Sequence, residues 1–166
     1  PRHEITIDQL LRMTSGLALA ETNSGFDPVS RMLFLEPDMA AFAERARLEA
    51  RPGSRWQYST GNTVILSRII RDAVGGAPED VLRFARRELF EPLGMSSMTL
   101  EFDAAGTPTS MYASPRDWAR FGLLFADGGA AGMIVGKRLP HTVRRVADDR
   151  HKGAGGSEHC RADAIA

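Results

Sequence analysis

Apolar positions in the first 129 residues recur at helical spacing, and polar capping residues mark where each run begins. Ile5-Thr6-Ile7-Asp8-Gln9-Leu10 opens the first run. Thr6 and Gln9 form a capping box there, and Ile5 can staple onto Leu10. Thr14-Ser15-Gly16 stops this helix, and residues 17–26 read as loop. Asp27-Pro28 caps a second helix, through about Leu35. Pro37 ends it, and Asp38 to about Leu48 forms a third, with Met39, Phe42 and Ala46 on one face. A Pro52-Gly53 turn then feeds a short extended segment carrying Trp56 and Tyr58. The next helix, Asn62 to Val74, places Val64, Ile65, Leu66, Ile69 and Ile70 around more than one face, which predicts a central, buried element. Gly75-Gly76 stops it. Ala77-Pro78-Glu79-Asp80 restarts a helix that ends before Pro92, and 98–102 reads as a short strand before a Gly106/Pro108 loop. Ser114-Pro115-Arg116-Asp117 opens a last helix lined by Trp118, Phe121, Leu124 and Phe125, which stops at Gly128-Gly129.

Past residue 129 the pattern lapses. Residues 130–166 hold only short apolar runs and read as a mostly unstructured tail, with at most a short helix near 143–146. The composition is that of an ordinary globular chain, 43% hydrophobic and 25% charged, and 166 residues suit one domain or a piece of a larger one. Basic and acidic residues balance at 21 each, so net charge points to neither nucleic acid nor an anionic membrane. Cys160 is the single cysteine, which rules out an internal disulfide and leaves the compartment open. No apolar run reaches membrane-spanning length, and no signal peptide is visible. Pro1 begins almost directly on a helix signal, and the expectation is a truncated chain.

Tyr58 is the first candidate for chemistry, since it lies in the last non-helical turn before a helix N-terminus. A phenol of ordinary pKa, roughly 10, is a poor base at neutral pH and needs cationic neighbours, usually lysines. Lys137 and Lys152 are both far away in sequence. The alternative is a packing residue with its hydroxyl hydrogen-bonded. Ser15 follows a helix C-terminus, where the carbonyl dipoles oppose an alkoxide, and Ser59 reads as an N-cap. No serine is followed by lysine three positions on, and no Gly-x-Ser-x-Gly elbow occurs. His151, His159 and Cys160 are soft metal ligands, but a structural zinc needs about four well-spaced ones, so no metal site is expected. The tail's bases are interleaved with Asp148, Asp149, Glu158 and Asp163, which argues against a phosphate-backbone patch.

The order of segments is more telling than any of these residues. Ile5-Thr6-Ile7-Asp8-Gln9-Leu10-Leu11-Arg12-Met13-Thr14-Ser15-Gly16-Leu17 resembles the hLL-x-MTSGL segment of the serine β-lactamase-related hydrolases. Pro52-Gly53 through Tyr58-Ser59-Thr60-Gly61-Asn62 resembles their Tyr-x-Asn box and following helix. Leu89-Phe90-Glu91-Pro92-Leu93-Gly94-Met95 resembles their FEPLGM segment, and residues 112–122 their S-x-RDWARFG helix. The last wording is most similar to the branch holding 6-aminohexanoate-dimer hydrolase and related esterases and amidases.

The resemblance implies acyl transfer on a serine, with hydrolysis of a small-molecule ester, amide or lactam and no cofactor. In the family a Ser-x-x-Lys motif supplies nucleophile and lysine, and the box tyrosine acts with that lysine as general base. Carried over, Tyr58 takes the catalytic role. Thr60 stands where the box has Asn, and Asn62 lies two residues later; both are substrate-side candidates. The implied architecture is a mainly α fragment of an α/β (α+β) β-lactamase/transpeptidase-like fold with most of its antiparallel sheet missing. Residues 1–129 would be the partial domain and 130–166 a divergent tail. Ser-x-x-Lys falls upstream of Pro1 by family order, and His151-Lys152-Gly153 comes too soon to be the third motif. A frameshift near 130–140 or a truncated gene would account for the tail. Two readings follow: a partial hydrolase that is inactive alone, or a non-catalytic remnant or interaction domain.

Overall fold

The structure, a computed structural model, describes residues 2–22 and 24–126, so the expectations for 127–166 lie outside the described residues. Helices dominate, and the sheet is one two-stranded antiparallel hairpin. Two compact units are present: residues 2–78 with Phe102–Thr109, and Glu79–Glu101 with 110–126.

In the first unit, α1 (Ile7–Leu11) carries the expected capping box, with both Thr6 and Gln9 bonds made. Helix α2 (Pro28–Leu35) is capped by Asp27, which accepts from the Ser30 N–H at 2.8 Å. Helix α3 (Met39–Glu44) is capped in the same way by Asp38. It stops short of the expected Leu48, because the next residues are committed elsewhere. The Arg47 carbonyl accepts from the Ala18 N–H, and Leu48 pairs in an antiparallel bridge with Leu17.

Helix α4 (Thr60–Val74) packs against α3 and α1. Its burial is concentrated in the first half, at Gly61, Asn62, Val64 and Ile65, whereas Ile70 is half exposed. Gly61 is required by close approach: a Cβ there would come within 2.5 Å of Leu19 Cδ1. Arg68 of α4 bonds to Asp38 at 2.9 Å and Glu44 at 3.4 Å, and so ties both ends of α3 to α4. The core gathers Ile5, Leu10, Leu17, Leu19, Val29, Met32, Ala40, Ala43, Val64 and Ile65. The hairpin tip, residues 103–107, belongs to this unit. Asp103 accepts from the Ala105 and Thr107 N–H groups within the tip and from the Met39 N–H at the start of α3.

The second unit holds most of α5 (Pro78–Ala85), a π-helical turn (Arg86–Phe90), α6 (Glu91–Leu93) and α7 (Pro115–Ala126). It also holds the outer parts of β1 (Thr99–Phe102) and β2 (Pro108–Tyr112). Pro92 does not end the helical path as expected. Proline lacks an N–H and its ring crowds the carbonyl four residues back; the wider π turn just before it accommodates both. The path ends instead at Gly94, whose left-handed backbone (φ 68°) closes a Schellman motif. Met95 N–H reaches Phe90 O at 2.8 Å and Gly94 N–H reaches Glu91 O at 3.0 Å. Phe90, Leu93, Met95 and Leu124 form this unit's core. Strand β2 occupies residues expected as loop.

Buried Asp117 joins the parts of this unit. It accepts from the Ser97 N–H at 2.8 Å, from the Ser97 hydroxyl at 2.7 Å and from Arg120 at 2.6 Å. Ser97 Oγ in turn accepts from the Ser114 N–H at 2.8 Å, and Arg120 also donates to Gly94 O at 2.9 Å. The bonds from the Ser97 backbone and hydroxyl, with Arg120 assisting, lower the Asp117 pKa to about 2. Asp27 is likewise lowered to about 2, first by the Ser30 N–H and then by Ser24 and Thr22.

Both carboxylates bind protons more weakly folded than unfolded. Their stabilisation is therefore complete above the unfolded Asp pKa, roughly 3.9, and is lost as pH falls through about 2. Urea titrations at pH 7, 4, 3 and 2 should show stability falling across the last three. Asp117→Asn and Asp27→Asn should each be less stable at pH 7 and flatter below pH 4. An unchanged acid slope in both variants would contradict this assignment.

Candidate active site

The box segment is fixed by the chain that precedes it. After α1, Met13 adopts a left-handed backbone (φ 58°), and Gly16 another (φ 77°). Gly16 passes so close to Ala50 that a Cβ would stand 2.2 Å from its carbonyl oxygen, so no other residue fits. The Gly16 carbonyl accepts from the Glu49 and Ala50 N–H groups, Thr14 O from the Gly53 N–H and Met13 O from the Gln57 N–H. Residues 13–17 are thereby laced to residues 47–57.

A side-chain bond completes the lacing. Ser15 Oγ, buried, donates to Asn62 Oδ1 at 2.7 Å and accepts from the Leu17 N–H at 3.3 Å. The other end of the Asn62 amide contacts Met13 Sδ at 3.5 Å. Asn62, a substrate-side candidate by sequence, is 1% exposed, and its amide is already engaged. In this chain the amide is bonded within the core of the first unit. Ser15 is a hydrogen-bonded core hydroxyl.

Ser59 is the N-cap of α4, its Oγ accepting from the Gly61 N–H at 3.1 Å. Half-buried Thr60 is the first residue of α4, and its N–H donates to the Glu21 carboxylate. The positive end of α4, which could otherwise receive an anion, is thus filled by the chain's own acid. Sequence reasoning missed Glu21, which lies in a loop 39 residues earlier and carries no local signal.

Tyr58 comes immediately before this cap and is 53% exposed; its hydroxyl has no hydrogen-bond partner among the described residues. Trp56 is exposed as well. Arg55 and Gln57 are bonded to one another, so the residues between and beyond them, Trp56 and Tyr58, share the other side of the extended segment. The fold therefore brings Tyr58, Ser59, Thr60, Asn62 and Ser15 to one end of α4. Among the described residues no group of His, Cys, Asp and Glu side chains could hold a metal ion, and no helix is long and apolar enough to cross a membrane.

A chain with this helical framework and two-stranded hairpin is compatible with part of an α/β hydrolytic domain. Residues 1–156 match the Beta-lactamase family, and the chain belongs to that family. Membership points to serine-hydrolase chemistry on small molecules among its relatives. No curated protein matches the chain.

Ser15→Ala removes the donor to a buried amide oxygen and should cost about 1–3 kcal/mol. Chemical denaturation followed by circular dichroism reads it directly. Ser15→Thr, which keeps the hydroxyl, should retain more stability than Ser15→Ala; the reverse order would count against the bond.

Proposed function

We propose that this chain carries the tyrosine-bearing part of a serine hydrolase that forms and hydrolyses an acyl-enzyme from an ester, amide or lactam. The wording of residues 112–122 favours the branch of 6-aminohexanoate-dimer hydrolase and related esterases. Tyr58 is the general base and Thr60 faces substrate. One observation carries the reading: Tyr58 stands half exposed directly before the capped, buried start of α4, on a segment laced to residues 13–17. A phenol held there is free to meet a substrate or a partner side chain.

The 166 residues contain no Ser-x-x-Lys, so the motif's serine nucleophile and its lysine are not supplied by this sequence. The purified chain should therefore leave nitrocefin and p-nitrophenyl acetate at the buffer rate. Turnover above that rate, abolished by Tyr58→Phe, would overturn the expected inactivity.

A second reading, a non-catalytic interaction domain or remnant, is favoured by the apolar surface. Phe26 is 98%, Phe34 81% and Leu35 77% exposed in the first unit, and Phe125 is exposed in the second. Uncovered apolar side chains of this size predict binding of a fluorescent apolar dye such as ANS and a broad thermal transition. A sharp, cooperative melt of a monomer without dye binding would argue against a remnant.

A further inference from the structure

We infer that the groove beside α2 and α3 binds a small monocarboxylate with an apolar tail. The groove has a volume of about 260 Å³ and is lined by Ala18, Leu19, Pro28, Phe42, Arg45 and Ala46. Five of these are apolar, and the sixth is a cation with no acid beside it in the lining.

Arg45 is the C-cap residue of α3, and a cation there has an ordinary explanation, the carbonyl dipoles of the helix end. That task is already performed by another side chain. Arg2 donates to Glu44 O at 3.0 Å and to Ala46 O at 3.4 Å. The Arg45 guanidinium itself makes no hydrogen bond or ion pair with any described residue. The acids at the end of α2 and in the last turn of α3 are already paired. Glu36 is paired with Arg31, whose guanidinium lies 5.7 Å from the centre of the Phe42 ring, and Glu44 is paired with Arg68.

An unspent guanidinium at the rim of an apolar groove matches one ligand chemistry. A carboxylate meets the planar fork with two parallel hydrogen bonds, while a short alkyl or phenyl tail lies against Leu19, Pro28, Phe42 and Ala46. The volume lies just below the usual range for drug-sized ligands, about 300–1,000 Å³, which limits the tail to a short one. This inference is independent of the hydrolase reading, since it uses no residue of the Tyr58 segment.

The test is a titration of the full, ¹⁵N-labelled chain with sodium octanoate, following the amide signals of Ala18, Arg45 and Ala46. Octan-1-ol, which has the same tail without the charge, is the comparison. Saturable octanoate shifts at these amides are expected, with octan-1-ol weaker by about tenfold or more. Arg45→Gln, at an exposed position, should bring octanoate down to the level of the alcohol. Equal binding of acid and alcohol to the unaltered chain would overturn the proposal without recourse to a variant. So would unsaturable shifts, shifts centred elsewhere, or octanoate binding unaffected by Arg45→Gln.

Discussion

The 2.7 Å bond from Ser15 to Asn62 sets the register of the first unit. A buried amide must find partners, and the cost of leaving one unmade exceeds the modest gain from making it. Asn62 is in the first turn of α4, so sliding that helix by one residue would rotate the amide by about 100° and strand it in apolar surroundings. Ser15 is equally constrained. Its neighbour Gly16 passes the Ala50 carbonyl at a distance only glycine tolerates, which fixes residues 13–17 against 47–50. With both partners fixed, the start of α4 is determined, and the place of Tyr58 follows from it. The Ser59 and Glu21 caps then satisfy the N–H groups that this start leaves exposed.

The second unit meets the same requirement with a charge. Asp117 is buried, and a buried carboxylate is tolerable only when hydrogen bonds replace its water. Ser97 supplies two, Arg120 a third, and each of these partners reaches on to a further backbone group, Ser114 N–H and Gly94 O. The four segments that carry the family resemblance pair up in this way, residues 13–17 with 59–62 and residues 89–95 with 114–120. Part of their wording is the polar hardware of these junctions, and part is core, at Leu10, Leu17, Phe90, Leu93 and Met95.

What the sequence revealed follows from how far apart the interacting groups lie. Thr6, Asp27 and Ser114 were legible as caps because a cap and its N–H groups are three residues apart. Most of the failures were non-local. Helix α3 ends early because Arg47 and Leu48 are drawn to Ala18 and Leu17, and nothing near residue 45 announces it. Pro92 has the local look of a helix stop, yet the π turn before it carries the path through. Glu21 and the inward-facing Asn62 depend on bonds spanning 39 and 47 residues, and so were invisible to pattern and propensity alike.

The same distinction bears on Tyr58. Its position was inferable from a local signal, the extended residues before an apolar helix, and the structure has it before the Ser59 cap. Its electrostatic surroundings were not inferable. General-base chemistry by a phenol calls for a cation beside the ring, to stabilise the phenolate. Among the described residues the fold brings a carboxylate, Glu21, to this end of α4, where it accepts from the Thr60 N–H at the helix N-terminus. Glu21 orders the backbone two residues beyond Tyr58. The described part of the chain thus fixes where Tyr58 stands, half exposed before the Ser59 cap, and the proposed base chemistry would need a cation at the open face of its ring.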